Sequence, residues 1–316
     1  MAVVPQTLAR SRIGALLALL LLGGRAPARA QDAAGRLGAL REAIQHRTAA
    51  VPGAVIGVAF RDLESGDTLF LNADDRFHAA STMKVPVMIE LFRQVDAGTL
   101  HLDQPIRLTN QFHSIVDGSP YALDPRDDSD SAAYALVGTH VPVRELLEHM
   151  ITRSSNLATN ALIEVVGAQR ANATAHRLGA RNIEVLRGVE DDKAFAAGRN
   201  NTTTARDLEV LMAAIETGAA ASRTSCDSMR AILLRQEFNG EIPAGLPPGT
   251  PVAHKTGFIT GVLHDAAIVY PAHRRPYVLV VLTRDIPDQN VARSLIVDVS
   301  RLVYAHVMEL PSNDGR

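Results

Sequence analysis

The chain has 316 residues, enough to bury a large core in one domain or in two interleaved ones. A formal charge of −2 at pH 7, with no run of basic residues, excludes nucleic acid as an expected partner. The single cysteine, Cys226, excludes an intramolecular disulfide, and 11 histidines without an HxxEH, HExxH or Cys/His cluster point to no metal and no cofactor.

At the amino terminus Arg10 and Arg12 precede an apolar run from Ile13 to Leu22, and Ala28-Arg29-Ala30 follows as a small-x-small cleavage site. Residues 1–30 are therefore expected to be an export signal. Its removal near Ala30 would leave residues 31–316 periplasmic or secreted, with no membrane association, and we expect a monomer. The apolar run is too short to cross a bilayer comfortably.

Leu37, Leu40 and Ile44 fall at helical spacing, as do Val291, Leu295, Val299, Leu302 and His306 near the other end. Inside these helices lie apolar, β-branched segments at 54–60 and, after the turn Ser65-Gly66-Asp67, at 68–71. Segments 251–255, 263–270 and 277–283 read alike, the last two parted by Pro271 and His273-Arg274-Arg275. Between the two groups, helical periodicity runs over 143–151, 157–166, 171–178 and 205–215. Strands bracketing helices predict an α+β fold: an antiparallel sheet flanked by the N- and C-terminal helices (about 31–80 and 219–316), with a helical lobe (about 81–218) inserted. A cleft between the lobes is the expected site. Segment 111–138, with Asp124-Pro125-Arg126-Asp127-Asp128-Ser129-Asp130, reads as a solvated acidic loop near that cleft, since it lacks the glycine and terminal glutamate of a calcium loop. Cys226, with no local motif around it, reads as a small filler.

The chemistry concentrates at Ser81-Thr82-Met83-Lys84. Serine needs a base within hydrogen-bond reach, and a helix opening at Ser81 would put Lys84 on the same face; Phe77, Met83, Val85, Val87 and Met88 would desolvate its amine. By itself the pattern reads more readily as a helix cap beside a snorkelling lysine than as catalysis. Two further motifs follow in order: Ser154-Ser155-Asn156 after the 143–151 helix, and His254-Lys255-Thr256-Gly257 at a predicted strand end.

These three motifs, with FHAASTMKVP (77–86), Val143-Arg144-Glu145-Leu146-Leu147 and Thr202-Thr203-Thr204-Ala205, make the chain resemble the class A β-lactamase and penicillin-recognising serine hydrolase family over nearly its whole mature length. The resemblance implies that Ser81 is the nucleophile and Lys84 its base, that Ser154 relays a proton to the leaving nitrogen, and that Asn156 holds the substrate's side-chain amide. It further implies that Lys255 and Thr256 meet the carboxylate of a β-lactam or a D-Ala-D-Ala-type peptide, that Gly257 allows close approach, and that the N–H groups of Ser81 and Phe258 bind the oxyanion.

Fast release of the acyl-enzyme needs a second base. The resemblance makes Glu190, in Arg187-Gly188-Val189-Glu190-Asp191-Asp192, the candidate, with Asp191 or Asp192 as alternatives. Three departures bear on it: Ala194 replaces the usual asparagine four residues on, Asn201 stands where an aspartate commonly closes the loop with an arginine, and the loop is shorter than usual. Separately, Ser155 replaces the central aspartate of the second motif, a change expected to touch stability rather than chemistry if that aspartate mainly orders its surroundings. The first expectation is thus a serine β-lactamase. The alternatives are a DD-peptidase-like serine hydrolase acting on cell-wall peptides and a penicillin-binding sensor module that acylates without turnover.

Overall fold

The computed structural model describes residues 1–2 and 28–310, with side chains from residue 34 onward. Of the expected export signal, residues 1–2 and Ala28-Arg29-Ala30 are described, the latter beginning the first helix, and the Arg10 to Leu22 pattern lies outside the described residues. The helices are α1 (Ala28–Ala49), α2 (Lys84–Asp96), α3 (Val143–Thr152), α4 (Asn156–Val166), α5 (Ala168–Leu178), α6 (Asp192–Ala196), α7 (Ala205–Thr217), α8 (Arg223–Leu233) and α9 (Gln289–Glu309). The main strands are β1 (Val55–Asp62), β2 (Thr68–Leu71), β3 (Val252–Ile259), β4 (Val262–Val269) and β5 (Tyr277–Arg284). No described helix is long and apolar enough to cross a membrane.

The strands form one antiparallel sheet in the order β2-β1-β5-β4-β3, so the first main strand pairs with the last, Val58 opposite Val281. Side chains alternate across a sheet, and here both faces are covered, which is why β5 reads as an unbroken apolar run from Tyr277 to Leu282 and β4 is buried on both faces, His264 and Asp265 included. Ile56, Val58, Phe60, Leu279 and Val281 face α1 and α9. Ala59, Ala266, Ile268, Val278, Val280 and Leu282 face the helical body, where α7 lies against the sheet. At the centre of that body is α2, buried from Lys84 to Phe92 and packed by α3, α4, α5 and α8.

Three sequence expectations shift. The strand expected at 251–255 runs on to Ile259, so the third motif lies within an edge strand rather than at its end; Lys255 and Gly257 have little strand propensity, and the pairing of β3 with β4 and its packing on the 80–83 turn hold them extended. The unforeseen helix α8 carries the helical part past residue 218: Cys226, Met229 and Leu233 bury against that core from an otherwise polar segment. Cys226 is wholly buried, as a filler would be. Segment 111–138 is not simply solvated. It holds a short ladder, Phe112–His113 with Pro120–Tyr121, and a 3-10 turn, Ser131–Leu136, and it buries Ser114, Asp128 and Asp130.

Candidate active site

Ser81 stands not on an α-helix but in a 3-10 turn, Ala80–Met83, that runs into α2 at Lys84. Three residues make one turn of a 3-10 helix, so positions i and i+3 eclipse, and the Lys84 Nζ donates to Ser81 Oγ at 3.0 Å. Ala80 enters the turn at φ 45°, a left-handed conformation costly for a residue with a Cβ. His78 Nδ1 accepts the Ala80 N–H at 3.1 Å and helps hold that bend.

Lys84 is fully buried, and it also donates to Ser154 O (2.6 Å), Ser154 Oγ (3.1 Å) and Asn156 Oδ1 (3.1 Å). Burial pulls its pKa down to about 7, against the opposing charges of Asp128 and Glu190. An amine with that pKa is half neutral at neutral pH and can take a proton from serine. Lys255, equally buried, is pushed well below the usual lysine value by desolvation and by the charge of Lys84. It donates to Ser154 Oγ at 3.0 Å and to Thr256 O at 2.9 Å. Ser154, held at φ 60°, therefore accepts from both lysines, which occupies its two lone pairs and leaves its own proton free to point elsewhere.

Asn156, the first residue of α4, joins the acylation side of the site to the far side. Its Oδ1 accepts from Lys84, and its Nδ2 donates to Glu190 Oε1 at 2.7 Å. Glu190 sits at φ 61°, and burial raises its pKa, opposed by the Asn156 bond and aided by the charges of Asp128, Asp127 and Asp192. Among the three carboxylates considered from sequence, Glu190 is the one bonded to a motif residue. Asp191 is occupied structurally, capping α6 through Ala194 N (3.1 Å) and accepting from Ser114 Oγ (2.8 Å) and Ile115 N (2.9 Å). Asp192 stands exposed at the cleft wall.

The loop carrying Glu190 closes without an ion pair at Asn201. Its Oδ1 accepts from Leu186 N (2.8 Å) and Arg187 N (3.1 Å), and its Nδ2 donates to Arg187 O (3.0 Å), while the Arg187 guanidinium turns to Arg199 O, Gly188 O and Asn200 Oδ1. An uncharged amide thus does by three backbone bonds what an aspartate–arginine pair does by charge. Ala194 is buried and presents no polar atom beyond its backbone.

Gly257 packs directly on the Ser81 turn: a Cβ there would lie 2.9 Å from Ser81 N and 3.0 Å from Thr82 N. Phe258 faces Leu263 across the sheet, and Leu263 turns its N–H and C=O toward Thr283 on β5. In an antiparallel ladder such a facing pair exchanges no bonds, so the Phe258 N–H points outward from the edge strand. Its side chain is 46 % exposed. Ser81, Ser154, Asn156, Glu190 and Phe258 all line one cleft of about 570 Å³, with Asp124, Asp127, Ser129 and Thr260. The structure joins Ser81, Lys84, Ser154, Asn156, Lys255 and Gly257 through direct contacts; Thr256 lies beside them on β3 with its C=O bonded to Lys255, and His254 turns away to Asp265 and Asn239.

Sequence reasoning missed several supports. Asn160 grips the backbone beside Glu190, accepting from Val189 N (2.7 Å) and donating to Val189 O (3.0 Å). Its position four residues after Asn156, hence on the same face of α4, was the available signal. Asp128 and Ser129 come from segment 111–138 and bond to the second motif; no local pattern announces them.

A family model described as the beta-lactamase enzyme family matches residues 39–307. The beta-lactamase AST-1 of Nocardia asteroides is 30% identical over 256 residues, 79% of this chain and 78% of that protein. The solved structure of PBP-A superposes with a TM-score of 0.74 at 31% identity, covering 86% of this chain and 97% of that one. A mutant of PBP-A has been solved as its acyl-enzyme complex with penicillin G. A beta-lactamase from Sphaerobacter thermophilus gives a TM-score of 0.71 at 28% identity, covering 87% of this chain and 99% of that one.

Proposed function

This chain belongs to the beta-lactamase enzyme family, and we propose that it hydrolyses the β-lactam amide through an acyl-enzyme on Ser81. The observation that carries the reading is the 3.0 Å contact between Ser81 Oγ and a buried Lys84 whose pKa is about 7, in the same cleft as a Glu190 bonded to Asn156. Ser81 Oγ attacks the lactam carbonyl as its proton passes to Lys84. The oxyanion meets the N–H groups of Ser81 and Phe258, and Ser154 delivers a proton to the lactam nitrogen as the C–N bond breaks. Lys255 and Thr256 receive the substrate carboxylate, with Asn156's remaining N–H facing the side-chain amide. Glu190 then takes a proton from water, which attacks the ester and frees Ser81. The Arg10 to Leu22 pattern and Ala28-Arg29-Ala30 support export with cleavage near Ala30.

Steady turnover of nitrocefin by the wild type, absent in Ser81→Ala, is the expected result. A single burst of product without a steady state sinks the hydrolase reading. One observation favours a second reading, a DD-peptidase-like hydrolase of cell-wall peptides: with Ala194 buried and apolar, Asn156 is the side chain that bonds Glu190 among the described residues, so a hydrolytic water has little else to hold it. Release of D-alanine from a D-Ala-D-Ala peptide faster than penicillin hydrolysis would establish that alternative.

A further inference from the structure

We propose that Asp128 is a positioning residue for acylation, supplying from segment 111–138 the carboxylate that the second motif lacks at Ser155. The proposal rests on the acyl-transfer reading of Ser81 and not on turnover.

Asp128 is only 7% exposed, and a carboxylate so buried must be hydrogen-bonded. Its Oδ2 accepts from Asn156 N (2.9 Å), Leu157 N (3.0 Å) and Tyr134 OH (3.1 Å), and its Oδ1 from Asp130 N (3.0 Å). Ser155 caps α4 only through Ala158 N at 3.2 Å and leaves the N–H groups of Asn156 and Leu157 to another acceptor. Asp128 holds the N–H of Asn156 itself, the residue whose side chain spans Lys84 and Glu190. The next residue repeats the tie: Ser129 Oγ donates to Arg153 O (2.8 Å) and Ser154 O (3.3 Å), and the latter carbonyl also accepts from Lys84. A helix N-terminus favours a negative charge, and 11-residue α4 presents its first N–H groups to this one. The Ser155 Oγ lies 3.5 Å from Asp128 Oδ2, so a carboxylate at position 155 would occupy nearly the space that Asp128 now fills.

The test measures the second-order rate of acylation by a fluorescent penicillin, with near-ultraviolet circular dichroism and thermal melting on every variant. Misplacing reacting groups by a fraction of an ångström slows acylation on the order of tenfold to a hundredfold in Asp128→Ala, and less in Asp128→Asn, which keeps an acceptor but not the charge. Ser155→Asp alone sets two carboxylates against each other and is slower than wild type. The Asp128→Ala/Ser155→Asp double variant recovers most of the lost rate, an outcome that loss of general stability would not produce. Wild-type rates in a folded Asp128→Ala or Asp128→Asn, or a double variant no faster than Asp128→Ala, overturn the proposal. Should Asp128→Ala not fold, the comparison of Asp128→Asn with the double variant decides. A wild type that acylates without turnover overturns the hydrolase reading alone, whereas one that never acylates overturns both.

Discussion

Lowering the pH offers a direct trial of Lys84 as the acylation base. With a pKa of about 7, the amine is about half neutral at pH 7 and about 1% neutral at pH 5, so acylation should fall roughly fiftyfold across that interval. An ordinary lysine would be neutral at pH 7 only to the extent of about 0.03%, so burial supplies roughly three powers of ten in available base. Asp128 and Glu190 face the ammonium and hold its pKa up, while Lys255 approaches it across Ser154. Removing the Glu190 charge therefore moves the acid limb to lower pH. Single-turnover nitrocefin acylation followed by stopped flow from about pH 4.5 to 9 should give a limb centred near 7 that persists, displaced downward, in Glu190→Gln. A limb centred in the ordinary carboxylate range, or one that vanishes in Glu190→Gln, refutes the assignment and transfers the base role to the glutamate.

Glu190→Gln itself should acylate normally and release slowly, by about a hundredfold to ten-thousandfold, leaving a persistent penicillin adduct by intact mass spectrometry; an adduct that clears at the wild-type rate removes Glu190 from deacylation. Gly257→Ala forces a Cβ to within 3.0 Å of backbone nitrogens, which cannot swing aside as a side chain does, so Ser81 must shift; kcat/KM should drop about a hundredfold with a lowered melting temperature. Asn201→Ala strands Leu186 N, Arg187 N and Arg187 O in a buried loop and should cost about 2–4 kcal/mol by denaturant unfolding. Because the folded pKa of Lys84 lies below its unfolded one, the unfolded state binds more protons between about pH 7 and 10, and wild-type stability falls as pH drops through that window by an amount on the order of 5 kcal/mol. The stability difference between Lys84→Met and wild type should track that fall, and a flat difference would contradict the buried-amine account.

Much of the site was legible in the chain because its chemistry is local. Ser81 and Lys84 lie a single 3-10 turn apart, Ser154 and Asn156 flank the start of one helix, and Lys255 to Gly257 are contiguous, so each motif is visible as a short word. What was not legible depends on pairings between distant segments. Asp128 meets Asn156 across 28 residues and Asn160 meets Val189 across 29, and such separations leave no periodicity to read. Helix α8 escaped notice because a helix burying Cys226, Met229 and Leu233 needs few apolar residues when a core already waits for them.

The sequence by itself determined most of the elements, the three motifs, the likeness to a known family and Ser81 as the candidate nucleophile, since these rest on side-chain type and on spacing within a helix or strand. Tertiary structure alone decided which carboxylate among Glu190, Asp191 and Asp192 reaches the motif residues, that Lys84 is dry enough for its pKa to fall to about 7, and that an aspartate from a distant loop stands beside the serine of the second motif. The physical reason is common to all three. Desolvation and hydrogen bonding depend on what surrounds a group in space, and at this site those surroundings are assembled from segments far apart in the chain.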